Sequence, residues 1–109
     1  MISAGAFLHA PFLATYAATK AALMSFTRSM AAEFAQWGVR VNALAPGAVD
    51  TDMMRKNTPE AQEQMASSSV QGRAAHPDEM VGPALLLTSD AGSFITGHVV
   101  FADGGMVPR

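Results

Sequence analysis

The sequence predicts an α/β fold, a portion of a doubly wound parallel sheet, on three observations. First, two short, mostly apolar, β-branched runs, 39–45 (VRVNALA) and 98–102 (HVVFA), are separated by helical sequence rather than by a hairpin turn. Strands that alternate with helices imply parallel pairing through right-handed crossovers. Second, the run at 39–45 is mostly apolar, as a sheet covered on two faces requires. Third, the chain begins at once in small apolar residues (MISAGAF) with no polar lead-in, as the remnant of a buried strand would. The predicted order is strand stump, helix, strand, flap with helix, strand. Three strands, one of them cut short, make a poor independent sheet. Residues 1–109 are therefore expected to be the C-terminal part of one larger domain.

Each element has its own local signal. Pro11, in HAPFLA, marks a turn and a helix start. From about Leu13 to Gln36 the sequence is helical, with Leu23, Phe26, Met30 and Phe34 at spacings of three, four and four as its apolar stripe. Ala17, Ala21, Ala22, Ala31 and Ala32 keep the other faces smooth. Gly38 supplies the left-handed stop. After the strand at 39–45, Pro46-Gly47 breaks the chain sharply. Residues 51–72 are polar, rich in Met and Ser, and read as a mobile flap that is weakly helical at best. A helix restarts at Pro77, where Asp78 and Glu79 complement the positive end of the dipole. The last strand, near His98 to Ala102, ends in a turn at Asp103-Gly104-Gly105. No repeat and no linker stands out.

Composition narrows the function. Half of the 109 residues are apolar, 15% are charged, and the formal net charge is −2. That balance argues against a nucleic-acid or anionic-lipid surface, both of which need concentrated Lys and Arg. No apolar run approaches the roughly 20 residues that span a bilayer. The apolar N-terminus lacks the basic region of a signal peptide, so a cytoplasmic protein is expected. With no cysteine, disulfides, thiolate metal sites and thiol nucleophiles are excluded. His9 and His76 read as turn residues, His98 as a strand residue, and no metal site is expected. Asn42 reads as a buried amide that bonds nearby backbone, and the eight methionines as core and flap filler. Arg73 and Asp78 read as anchors of the flap.

The stretch TYAATK (15–20) carries the chemistry. It sets Tyr16 and Lys20 four residues apart, on one helix face, with only small residues between them. Two readings fit that spacing: a surface pair of packed phenol and solvated ammonium, or a proton-transfer pair with bulk kept away. In the second reading, a cation within about 4 Å of the phenol favours its ionised form, and desolvation opposes that. The spacing alone leaves both open.

The surroundings resemble one family. Ser3 precedes Tyr16 by thirteen residues, and Lys20 follows; then come WGVRVNALAPGAVDTDM (37–53), GRAAHPDEM (72–80) and SFITGHVVFADGG (93–105). Together, from residue 2 to residue 105, they resemble the short-chain dehydrogenase/reductase family, and in particular its 3-oxoacyl-thioester reductases. The resemblance implies a Rossmann-like domain and hydride transfer between NAD or NADP and a carbonyl or secondary alcohol. It implies that Tyr16 moves the proton, that Lys20 assists it and binds the nicotinamide ribose, and that Ser3 hydrogen-bonds the substrate oxygen. It places Pro46, Gly47, the Val49 backbone and the Thr51 side chain, with Tyr16 and Lys20, around the cofactor. The turn at 46–47 then leaves the carboxyl end of its strand, where open α/β sheets bind ligands. The flap becomes the substrate loop, with a 3-oxoacyl thioester the leading substrate and sugars, steroids and small alcohols open. Homodimers or homotetramers through the long helix are implied for the full-length parent.

Three parts of the family pattern have no match here: the glycine-rich turn that takes the cofactor pyrophosphate at a helix N-terminus, the acidic or basic residue that separates NAD from NADP, and the asparagine on the helix before the serine's strand. The dinucleotide-binding N-terminal half is thus expected to lie outside these residues. Two alternatives stay beside the oxidoreductase reading: an inactive truncated piece that holds no dinucleotide, and an oligomerisation piece.

Overall fold

A computed structural model describes residues 1–8 and 11–108; His9, expected at a turn, lies outside the described residues. The named elements are α1 (Ala14–Phe34), β1 (Ala43–Pro46), α2 (Asp52–Arg55), α3 (Pro59–Ser67), α4 (Val81–Thr88) and β2 (Val99–Ala102). Short 3-10 turns precede α1, extend it, open α4 and follow it.

β1 and β2 pair in parallel, from Ala43 opposite Val99 to Pro46 opposite Ala102. The crossover between them carries α2, α3 and α4, as the alternation of strands and helices requires. The expected strand stump is a single rung: the Ile2 N–H donates to the Leu44 carbonyl at 2.8 Å. Ser3 then ends the pairing, because its Oγ accepts from the Gly5 N–H and caps the turn Ala4–Phe7.

The core is small. Ile2, Ala43 and Ala45 form its buried centre, and Phe7, Met24, Val99 and Phe101 pack around them. Phe7 and Phe101 meet edge to face, with ring centroids 4.7 Å apart. α1 ends close to its expected limit and runs through a 3-10 turn to Gly38, at φ 70°.

Three expectations are corrected. The apolar stripe of α1 is not a wholly covered face: Leu23 and Phe26 point outward. Thr27 and Ala31 are buried, whereas Phe26 is 59% exposed and Leu23 40%. Small residues win because the backbone comes close: a Cβ built on Gly97 would stand 3.4 Å from the Ala31 Cβ. Next, residues 39–42 do not join the sheet. Side chains and a backbone bond hold them instead: Asn42 Nδ2 donates to the Ile95 carbonyl (2.7 Å), His98 N–H donates to Asn42 Oδ1 (3.1 Å), Val41 N–H donates to Thr96 Oγ1 (3.1 Å), and Gly97 N–H donates to the Val41 carbonyl (2.7 Å). Asn42 therefore has the backbone-bonding role expected of it, ahead of the strand rather than within it.

The third correction concerns the flap. Residues 51–72 contain two helices, α2 and α3, each capped by a threonine. Thr51 Oγ1 accepts from the Met54 N–H and Thr58 Oγ1 from the Ala61 N–H. Pro59 occupies the first turn of α3, where its missing N–H costs nothing. Asn57 and Gln62 then tie the two helices together: Gln62 Nε2 donates to the carbonyls of Arg55 and Asn57.

Candidate active site

The site begins where β1 ends. Gly47 is needed there because a Cβ would lie 2.8 Å from the Asp103 Cα and 2.9 Å from the Asp103 carbonyl oxygen, backbone atoms that cannot step aside. Asp103 itself is buried, and its carboxylate accepts from the Gly105 and Val107 N–H groups. This is the turn-and-packing role expected of Asp103-Gly104-Gly105.

Beyond Gly47 the chain bridges to a second loop at Val49 and Ala75. Ala75 N–H donates to the Ala48 carbonyl, and Asp50 N–H donates to the Ala75 carbonyl, both at 2.9 Å. Val49's own N–H and C=O take no part in that bridge, and no hydrogen bond joins them to another described residue. Thr51 spends a lone pair on its cap and keeps its hydroxyl proton free to donate.

α1 brings its own pair to the same place. Lys20 Nζ stands 5.5 Å from the centroid of the Tyr16 ring, within cation–π range. Tyr16 is 41% exposed, and Lys20 has no carboxylate partner among the described residues. Ser3 accepts from Gly5 and likewise retains its hydroxyl proton.

All seven residues expected at the site line one open cleft of about 430 Å³: Ser3, Tyr16, Lys20, Pro46, Gly47, Val49 and Thr51. They come from the N-terminal segment, α1, the end of β1 and the loop after it. Two further clefts, of about 180 and 510 Å³, also reach Ser3, Tyr16 and Gly47, so these three residues form a junction.

Two ion pairs brace the loops around it. Arg55 binds Asp50 through Nε–Oδ1 (2.8 Å) and Nη2–Oδ2 (3.1 Å), which ties α2 to the loop after β1. The Arg55 guanidinium holds the Asp50 carboxyl below the usual carboxylate range. Arg73 binds both Glu79 oxygens at 2.7 Å, and Glu79 also accepts from the His76 N–H. Those bonds, the guanidinium's first, lower Glu79 from 4.5 to about 2. Arg73, expected with Asp78 to anchor the flap, thus binds Glu79, beyond the flap's end at residue 72. Asp78 faces His76 Nδ1 at 3.4 Å.

Sequence reasoning missed the methionines. Only Met54 counts as buried, and six of the eight, Met1, Met53, Met54, Met65, Met80 and Met106, line the three clefts. Their crowding in 53–65 was the available signal.

A family profile described as enoyl-(acyl carrier protein) reductase matches residues 1–107. The galactitol 2-dehydrogenase of Cereibacter sphaeroides is 45% identical over 96 residues, which cover 86% of this chain and 38% of that enzyme. This chain belongs to the short-chain dehydrogenase/reductase family. Among solved family members, the gluconate 5-dehydrogenase of Burkholderia cenocepacia, in complex with NADP and tartrate, superposes with a TM-score of 0.92 at 34% identity. The comparison covers 99% of this chain and 43% of that one. A 3-oxoacyl-[acyl-carrier protein] reductase of Brucella melitensis with bound NAD gives 0.87 at 35%, covering 99% and 39%. The chain thus spans well under half the length of these relatives. The α/β fold with its parallel sheet is that of the family's Rossmann-like domain. Among the described residues, no helix is long and apolar enough to cross a membrane.

Proposed function

We propose that these residues form the proton-transfer and nicotinamide-facing part of an NAD(P)-dependent oxidoreductase that interconverts a carbonyl and a secondary alcohol. The observation that carries the reading is the convergence of the seven residues, from separate elements, on one cleft. The donor set suits a nicotinamide. Val49's N–H and C=O, bonded to no other described residue, offer one donor and one acceptor to a carboxamide, and the Thr51 hydroxyl offers a second donor. Lys20, with no carboxylate partner among the described residues, is available to a ribose hydroxyl.

The bound cofactor supplies or accepts the hydride. Tyr16 gives the proton to the substrate oxygen in reduction and takes it in oxidation. The Lys20 ammonium stands beside the phenol, 5.5 Å from its ring centroid. The Ser3 hydroxyl donates a hydrogen bond to the same oxygen, keeping its own proton, which stabilises the charge developing there and fixes it within reach of Tyr16. Small residues at 17–19 leave room for a flat ring beside the pair.

No glycine-rich turn for a pyrophosphate stands in these residues. On this reading the dinucleotide-binding half of the domain lies outside them, and the enzyme is a cytoplasmic homo-oligomer. Fluorescence titration of the 109-residue chain with NADH and NADPH separates a self-sufficient site from one that needs that half. In the enzyme that carries these residues, oxidation of secondary alcohols or reduction of ketones is expected. A protein that binds dinucleotide yet turns over neither refutes the reading.

A further inference from the structure

The two methionines of α2 are neighbours in sequence and opposites in exposure: Met53 is 74% exposed and Met54 9%. The backbone that carries them is held from three directions. Thr51 Oγ1 accepts from the Met54 N–H, Asn57 Nδ2 donates to the carbonyls of both methionines, and Arg55 is clamped to Asp50. That bracing sets Met53 at a junction. It lines the cleft of about 430 Å³ with Tyr16, Lys20, Val49 and Thr51, and the cleft of about 180 Å³ with Ser3 and Tyr16. Met54 lines the smaller of these and not the larger.

With no cysteine in the chain, methionine thioethers are its most readily oxidised groups. Hydrogen peroxide needs no helper to attack them. A sulfur lone pair takes one oxygen, the O–O bond breaks, and the second oxygen leaves as water. Thioether and peroxide become sulfoxide and water, with sulfur giving up two electrons and peroxide gaining them. Exposure decides which methionine reacts first, and that favours Met53. The product is a strong acceptor with no proton to give. Its oxygen would enter the cleft that holds the Val49 N–H, the Thr51 hydroxyl and Lys20, donors that the oxidoreductase reading assigns to the nicotinamide carboxamide and ribose. We propose that Met53 is a site of peroxide modification, and that its sulfoxide competes with the dinucleotide for those donors and weakens its binding. The proposal rests on the oxidoreductase reading above and adds regulation to the same site. Met1 is equally exposed and lines the same cleft, so a substitution at Met53, rather than peroxide sensitivity by itself, decides which sulfur acts.

The test treats the enzyme that carries these residues with limiting hydrogen peroxide and maps its peptides by tandem mass spectrometry. Met53 should gain oxygen at least about fivefold faster than Met54, as their exposures require. After removal of the peroxide, dinucleotide affinity is read on the same samples by fluorescence titration with NADH and NADPH. Oxidation should raise Kd roughly three- to tenfold, the worth of one neutral hydrogen bond. Methionine sulfoxide reductases for both epimers should restore it. Met53→Leu, a swap of similar volume, is compared with itself before and after peroxide, and its Kd should not move. Met54 oxidised as fast as Met53, an oxidised enzyme with unchanged Kd, or a Met53→Leu variant that peroxide weakens as much as the wild type would each overturn the proposal. An enzyme that binds dinucleotide and turns over as expected, yet ignores peroxide, defeats this inference alone. Dinucleotide binding without turnover of any ketone or secondary alcohol defeats the oxidoreductase reading and this inference with it.

Discussion

Tyr16 and Lys20 were legible as a pair because i to i+4 geometry is fixed by the helix itself. Ser3, Gly47 and Val49 were legible only through the family resemblance, since nothing in their spacing measures a distance through space. What brings those residues in is a backbone contact: Gly47 against Asp103. Gly47→Ala is accordingly expected to displace the 46–51 loop. It should cost about 1–3 kcal/mol of stability through overpacking and weaken nicotinamide binding, as thermal melts and cofactor titration would show. A variant with wild-type melting and wild-type binding would remove Gly47 from the scaffold of the site. Ser3→Ala is expected to lower kcat by roughly a hundredfold, in the range of a lost oxyanion donor, with little change in dinucleotide affinity. Steady-state kinetics at saturating cofactor checks this.

At the scale of elements, the flap shows where pattern reading fell short. Its polarity and its Met and Ser content suggested a mobile loop, yet Thr51 and Thr58 cap two short helices and Arg55–Asp50 staples the first of them down. The Thr58-Pro59 start was visible in the sequence; the staples, which depend on loop geometry, were not. The Arg73–Glu79 pair gives this region its pH dependence. Glu79 has its carboxyl depressed in the folded state, from 4.5 to about 2. Its contribution is therefore complete above pH 4.5 and is lost as pH falls toward 2. Asp50 acts in the same direction through Arg55. Both pairs are exposed enough for solvent to screen them, so the effect is modest. Glu79→Gln should lower the melting temperature at pH 7 by a small margin and flatten the decline between pH 4.5 and 2. A variant whose pH profile parallels the wild type would contradict this.

For the whole molecule, the class was legible and the sheet's extent was not. A parallel pair of strands normally lies between covered faces, and here it has a small core and one added rung from Ile2. The radius of gyration is 14.8 Å, and the longest dimension is 48 Å against 27 and 26 Å across. A compact chain of this length would give about 13 Å. Phe26, Leu85, Val81 and Phe94 are all more than half exposed. Side chains of that kind seek a partner surface. The isolated chain is thus expected to associate, with a weight-average mass above 11.4 kDa that rises with concentration. Light scattering behind size exclusion tests it, and a strict monomer across the tens of micromolar range would contradict it. On α1 the alanine-smooth face takes the close approach at Ala31, beside Gly97, while Leu23 and Phe26 of the apolar stripe stay exposed.

The most direct measurement is turnover by Tyr16→Phe in the enzyme that carries these residues, with cofactor affinity measured on the same sample. Removal of one hydroxyl should cut kcat by at least roughly a hundredfold, while NAD(P)H still binds within about a factor of two. If the phenylalanine variant reduces ketones at the wild-type rate, the phenol does not carry the proton, and the site assembled around it has some other use.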